Sequence, residues 1–222
     1  MSLNYNKMID HTFLKPEATT KEIDKLISEA IKYGFKTVCV NSSWVKYVKE
    51  KLANTDIEIT AVVGFPLGAM ITQAKAHEAK LAIDHGADEI DMVINIGRFK
   101  QGDDEYVLND IKAVKAACSK HVLKVIIETA LLSEQEIKRA TEIVMKSGAE
   151  FIKTSTGFSY RGASLDDIKI MKSVCGDSLL IKAAGGISNM DDLIAMYQAG
   201  ATRFGTSRSV AIVEGKDSKG GY

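Results

Sequence analysis

HGADEIDMV, residues 85–93, is the stretch on which the fold turns. A glycine that tolerates the left-handed conformation stops a helix, the chain turns, and an apolar strand begins. The same joint returns as YGFKTVCV (33–40), SGAEFIKT (147–154) and AGATRFGT (199–206). Helical periodicity precedes the joints. Ile23, Leu26, Ile27, Ala30 and Ile31 recur at i, i+3, i+4, i+7 and i+8, and Val107, Ile111, Val114 and Cys118 follow the same rule. Thr19 with Glu22, and Ser133 with Glu136, have capping-box spacing and mark helix starts.

Extended along the chain, the pattern predicts strands at 9–13, 37–40, 58–63, 89–94, 123–128, 151–153, 179–183 and 203–204. About seven helices separate them, with a short helical stretch after Ser207. Strict alternation of strand and helix means parallel crossovers. Eight such units favour an α/β fold of the closed (β/α)8 or TIM-barrel kind. No linker or low-complexity run divides residues 1–222, so one compact domain is expected, with a tail at about 214–222.

Composition narrows the function. The 29 basic and 29 acidic side chains balance, so charge gives no reason to expect nucleic acid or an acidic membrane as partner. No apolar run approaches the roughly 20 residues of a spanning helix, and MSLNYNKMIDHTF has no signal-peptide core. Cys39, Cys118 and Cys175 lack metal or redox spacing and read as buried free thiols in a reducing cytoplasm.

Alternation along the strands sorts their side chains. In EIDMVINIG, Ile90, Met92 and Ile94 suit the helix layer, which turns Glu89, Asp91, Val93 and Asn95 inward. By the same rule Phe151 and Lys153, Leu180 and Lys182, and Asp10 and Thr12 face in, while Ile9, His11 and Phe13 face helices. Asn41 and Glu128 end strands at the same rim. Lysines that begin strands, Lys36 and Lys124, belong at the opposite face and read as solvent-reaching. Lys153 and Lys182 end neighbouring strands, where barrel active sites lie. At roughly 6 Å and an effective dielectric of about 20, two such cations repel by about 3 kcal/mol, or about two pKa units. That is enough to make one amine a nucleophile while Asp91 and Asp10 stabilise the other. A purely structural ion cluster is the competing account.

AAGGIS and FGTSRS follow the seventh and eighth strands, whose loops commonly bind phosphate in barrels. Gly185, Gly186, Gly205 and Ser207, with Gly157 of TSTG, let backbone N–H groups approach an anion, and a helix starting near Ser207 would aim at it. Arg208 can face that anion or solvent.

IDHTFLKP, VCVNSSWV, VVGFPLGA, EIDMVINIG, KVIIETALL, FIKTSTGF, IKAAGGI and RFGTS, in this order, resemble the successive strand motifs of the deoxyribose-phosphate aldolase family and cover nearly the whole chain. The resemblance implies a class I aldolase without metal or other cofactor. Its substrate is 2-deoxyribose 5-phosphate, cleaved reversibly to glyceraldehyde 3-phosphate and acetaldehyde in deoxynucleoside breakdown. By motif, Lys153 resembles the Schiff-base lysine, Lys182 its pKa-lowering neighbour, and Asp91 the residue that relays protons through water. Asp10 and Thr12 resemble supporting residues, and Tyr222 the family's terminal tyrosine. Phe158 stands where some members have lysine, which leaves phosphate contacts to Gly157 and the other loops. A homo-oligomer stays open. Another Schiff-base aldolase acting on a ketose phosphate, or a non-catalytic sugar-phosphate sensor, would share the same lysines and loops.

Overall fold

The computed structural model describes residues 3–216. Eight parallel strands close into a barrel in chain order: β1 (Ile9–Thr12), β2 (Thr37–Asn41), β3 (Glu58–Val63), β4 (Glu89–Val93), β5 (Val122–Ile126), β6 (Phe151–Lys153), β7 (Leu180–Ala184) and β8 (Arg203–Thr206). The helices are α1 (Thr20–Tyr33), α2 (Val45–Lys51), α3 (Thr72–Asp84), α4 (Ile96–Lys100), α5 (Asp104–Cys118), α6 (Glu134–Met145), α7 (Leu165–Cys175), α8 (Met190–Gln198) and α9 (Ser209–Val213). The expected single-domain TIM barrel is therefore the observed one. Tyr222 and most of the tail expected at 214–222 lie outside the described residues.

Local chemistry explains the joints. Gly34, Gly86, Gly148 and Gly200 all have φ between +65° and +118°, a region that L side chains avoid. The capping boxes form at Thr19 with Glu22 and at Ser133 with Glu136. Helices then bury the stripe their periodicity marks: Ile23, Leu26, Ile27 and Ala30 on α1, and Val107, Ile111, Val114 and Cys118 on α5. Each large aliphatic side chain so removed from water contributes about 1.5–3 kcal/mol.

The strands divide two interiors. Ile9, Val38, Val40, Ile90, Met92, Val125, Ile152, Ile181 and Phe204 join the main apolar core with the helices. The residues alternating with them face the barrel axis, and many are charged. Cys39 and Val62 on that side form a small separate apolar cluster with Leu14 and Phe65. Cys39, Cys118 and Cys175 are free and buried.

Several strand ends shift by a residue or two, and three of the differences bear on the site. β5 stops at Ile126, so Glu128 lies two residues beyond the strand, in the left-handed region at φ +54°. β8 runs on to Thr206. Leu180 opens β7 and is 44% exposed, because at the first rung of the barrel no further layer covers it.

Candidate active site

Seven charged side chains from six strands meet inside the barrel: Asp10 of β1, Glu89 and Asp91 of β4, Lys124 of β5, Lys153 of β6, Lys182 of β7 and Arg203 of β8. All are buried. Strand register sets their levels, with Asp91 opposite Lys124, Lys153 opposite Lys182, and Lys182 opposite Arg203.

Asp91 is the hub. Its Oδ2 accepts from Lys153 Nζ at 2.7 Å and from Lys182 Nζ at 2.7 Å, while Oδ1 accepts from Lys124 Nζ at 2.8 Å. Lys182 also donates to Asp10 Oδ2, and Asp10 Oδ1 accepts from Arg203 Nη1 at 2.8 Å. Glu89 is held by Lys124 at 2.6 Å and by both Arg203 nitrogens, at 2.8 and 3.1 Å. Thr12 Oγ1 donates to the Asp10 carbonyl at 2.8 Å, next to this network.

Burial works against the charges of Asp10, Glu89, Asp91, Lys124, Lys182 and Arg203, and the opposite charges around them outweigh it. Asp91 is held well below the usual carboxylate range by Lys124, Lys153 and Lys182, and Asp10 is lowered by Lys182, Arg203 and Lys124. Glu89 is lowered by Lys124 and Arg203. Lys182 is kept above the ordinary lysine range by Asp10 and Asp91, and Lys124 by Asp91 and Glu89. These carboxylates are thus occupied by cations, and among the described residues no cluster of His, Cys, Asp or Glu is arranged to hold a metal.

Lys124 corrects the sequence reading. β5 starts at Val122 and stops at Ile126, so Lys124 is the central residue of the strand rather than near its start, fully buried and opposite Asp91. β4 and β5 pair end to end, Glu89 with Val122 and Val93 with Ile126, so the middle residues of the two strands lie side by side. Lys36, by contrast, is half-buried and pairs with Glu58 at the edge, as its strand-start position suggests. Arg203 and Glu89 join the site as a buried ion pair that the sequence motifs do not mark. The inward alternation of Arg203 with Gly205 was the available signal.

The glycine loops come together above β6, β7 and β8. The 157–163 and 185–187 segments touch backbone to backbone. A Cβ on Gly162 would lie 2.4 Å from Gly185 C, and one on Gly186, at φ +72°, would lie 2.6 Å from the Ala163 carbonyl oxygen. Gly205 serves a different neighbour, because a Cβ there would press on Lys182 Cε at 3.1 Å. Arg208 Nη1 reaches Ser188 Oγ at 3.4 Å, so its side chain lies toward the loop after β7. Phe158 packs edge-to-face on Phe65 with ring centroids 5.3 Å apart. Glu128, raised by burial against its hydrogen bonds from Thr156, anchors the loop that follows Lys153. Asn41 donates to the Leu14 carbonyl at 3.2 Å. A cavity of about 510 Å³ lies between β1, α1 and Ser207, lined by Thr12, Leu14, Lys25 and Glu29 among others and by none of the seven charged side chains, so open space adjoins the loop after β8.

Comparison with known proteins agrees with this geometry. The model of the family described as DeoC/LacD family aldolase matches residues 6–209. A deoxyribose-phosphate aldolase of Mycoplasmopsis synoviae is 68% identical over 96% of this chain and 96% of its own. One of Mycoplasmopsis pulmonis is 64% identical over 99% and 100% of the two chains. The solved tetrameric deoxyribose phosphate aldolase of Aeropyrum pernix superposes with a TM-score of 0.87 at 30% identity, covering 94% of this chain and 89% of that one. A barrel whose axis carries paired lysines on one carboxylate, matched over nearly its full length, belongs to the DeoC/LacD family of aldolases.

Proposed function

We infer that the chain is a carbon–carbon lyase, a class I aldolase that cleaves 2-deoxyribose 5-phosphate to glyceraldehyde 3-phosphate and acetaldehyde and joins them in reverse. One observation carries the chemistry: Lys153 and Lys182 donate to the same oxygen of Asp91 within a buried site. Inside the barrel Asp10, Glu89 and Asp91 face Lys124, Lys153, Lys182 and Arg203, one cation in excess if all are ionised. Among the described residues Lys182, Lys124 and Arg203 each form ion pairs with at least two carboxylates, whereas Lys153 forms one with Asp91 alone. Lys153 is thus the least restrained cation, and losing its proton balances the cluster.

On this reading neutral Lys153 adds to the C1 aldehyde of the open-chain sugar, and loss of water leaves a protonated imine. A water held between Asp91 and Lys182 takes the proton of the 3-hydroxyl. The C3 oxygen becomes a carbonyl, the C2–C3 bond breaks, and its electron pair moves toward the imine nitrogen. Glyceraldehyde 3-phosphate departs and an enamine remains. Protonation at C2 and hydrolysis release acetaldehyde and free Lys153. Asp10 and Thr12 support Lys182 from behind. Gly157, Gly185, Gly186 and Ser207 take the phosphate, which orients the reacting end, while Gly205, expected among them, makes room for Lys182 instead. α9 has only five residues, so its contribution to the anion is its local N–H groups rather than a long dipole.

Borohydride reduction in the presence of acetaldehyde, followed by peptide mass spectrometry, should mark Lys153, and Lys153→Arg should abolish both the mark and the activity. A mark on Lys182 with Lys153 untouched would overturn the assignment. The reading includes a cytoplasmic location, supported by three buried free thiols. No helix among the described residues is long and apolar enough to cross a membrane. It also includes a homo-oligomer, in keeping with the tetrameric Aeropyrum pernix relative. Light scattering on the purified protein tests that part.

A further inference from the structure

β1 carries one polar side chain on its helix-facing side. His11 is buried and sits opposite Thr206 of β8. Its Nδ1 lies 2.9 Å from Ser209 Oγ, and its Nε2 lies 2.9 Å from Glu29 Oε2 on α1. Ser209 Oγ, itself buried, donates to the Thr206 carbonyl at 3.0 Å. Phe35 covers the ring, with centroids 5.0 Å apart. A chain of polar contacts therefore runs from α1 through β1 to the turn at residues 206–209, which contains Ser207.

The contacts are directional. Thr206 O and the Glu29 carboxylate only accept, so all three links are hydrogen bonds at once only when the ring carries both its protons. Glu29 is the matching anion, lowered chiefly by its hydrogen bond from His11. Elsewhere the outer faces of the strands are filled by residues such as Ile9, Val38 and Val40. A polar chain buried among them costs desolvation that an aliphatic side chain would not. What the chain supplies in return is a fixed position for the 206–209 turn.

We propose that His11 is a positioning residue for the substrate phosphate, fixing the turn that carries Ser207 through Ser209, with Glu29 holding the ring. This rests on the phosphate reading given above. The two ring nitrogens can be tested separately, because an asparagine amide stands near Nδ1 and a glutamine amide near Nε2. The measurement is the ratio of kcat/KM for 2-deoxyribose 5-phosphate to that for unphosphorylated 2-deoxyribose. His11→Gln keeps the Glu29 contact and loses Ser209, so the ratio should fall about tenfold through KM, the size of one buried hydrogen bond. Ser209→Ala should fall similarly. His11→Asn, which keeps the Ser209 contact, should stay within about twofold of the parent on the same scale. A ratio unchanged in His11→Gln, or lowered equally in both His11 variants, overturns the proposal by leaving His11 a packing residue. Ser207→Asp places a carboxylate against the phosphate and separates the two ideas. If it abolishes the preference while His11→Gln does not, only the positioning role fails. If it leaves the preference intact, the phosphate reading fails and the proposal with it.

Discussion

Replacing Lys182 by methionine isolates the electrostatic part of the chemistry. Two bonds of 2.7 Å meeting at Asp91 Oδ2 bound the separation of the lysine nitrogens at about 5.4 Å. At an effective dielectric of about 20 the repulsion between two cations at that distance is about 3 kcal/mol. That corresponds to about two pH units. Methionine retains most of the stem of Lys182 without its charge, and Asp10 keeps Arg203 as a partner. The acid limb of the kcat/KM profile should therefore move up by about two pH units, so that activity at pH 7 falls by about 100-fold and recovers on the alkaline side. Steady-state assays from pH 6 to 10, with borohydride trapping at each pH, read this directly. An unmoved acid limb with Lys153 still trapped would refute electrostatic coupling. A loss of constant size at every pH would mean that Lys182 acts only in handling protons.

Lys124→Met removes the cation between Asp91 and Glu89 and leaves buried carboxylates short of a partner. The expected cost is about 3–5 kcal/mol in urea unfolding, together with a drop in kcat, and a cost below about 1 kcal/mol would contradict the network. Gly186→Ala introduces strain of about 1–3 kcal/mol against Ala163 and should raise KM for the phosphorylated sugar on the order of tenfold while altering turnover of unphosphorylated 2-deoxyribose little. The lowered carboxyls of Asp10, Glu89 and Asp91 contribute stability that is present above the unfolded carboxylate range and lost as pH falls through their folded values. Lys124 and Lys182, raised, contribute stability present below the unfolded lysine range and lost only as pH rises beyond it. Urea midpoints should thus stay flat from about pH 5 to 9 and fall below about pH 4, and a steady decline between pH 7 and 5 would count against the assignment.

The barrel was legible because its signals are local. Each of the four joint glycines needed only its own φ, and the stripes on α1 and α5 needed only their own periodicity. Alternation likewise turned Asp91, Lys153 and Lys182 inward, since a period of two fixes the face from the strand alone. What alternation cannot supply is height. Lys124 reads as a far-end lysine only on a strand running from 123 to 128; β5 spans 122–126, which makes it the central residue, beside Asp91 at the centre of β4. Arg203 went unremarked on a strand expected to hold two residues. Glu128 was placed at a strand end, although its left-handed backbone arises from the loop it anchors. Gly205 illustrates a further limit: its bare Cα accommodates a lysine from the adjoining strand, a fact that belongs to the pair rather than to either residue.

Apart from polar links such as the His11 chain, hydrocarbon covers the outer side of the strand wall while ions line much of the inner side, so the two compartments obey different rules of substitution. In the outer layer a lost methyl group can be repaired by any neighbour that grows to fill the gap. Along the axis volume is secondary, and electroneutrality governs. A change at Glu89, Lys124 or Arg203 has to be answered by an opposite change among the same few residues. A charge removed here leaves its buried partners unbalanced, and Asp91, bound by three lysines, ties the largest number of them together.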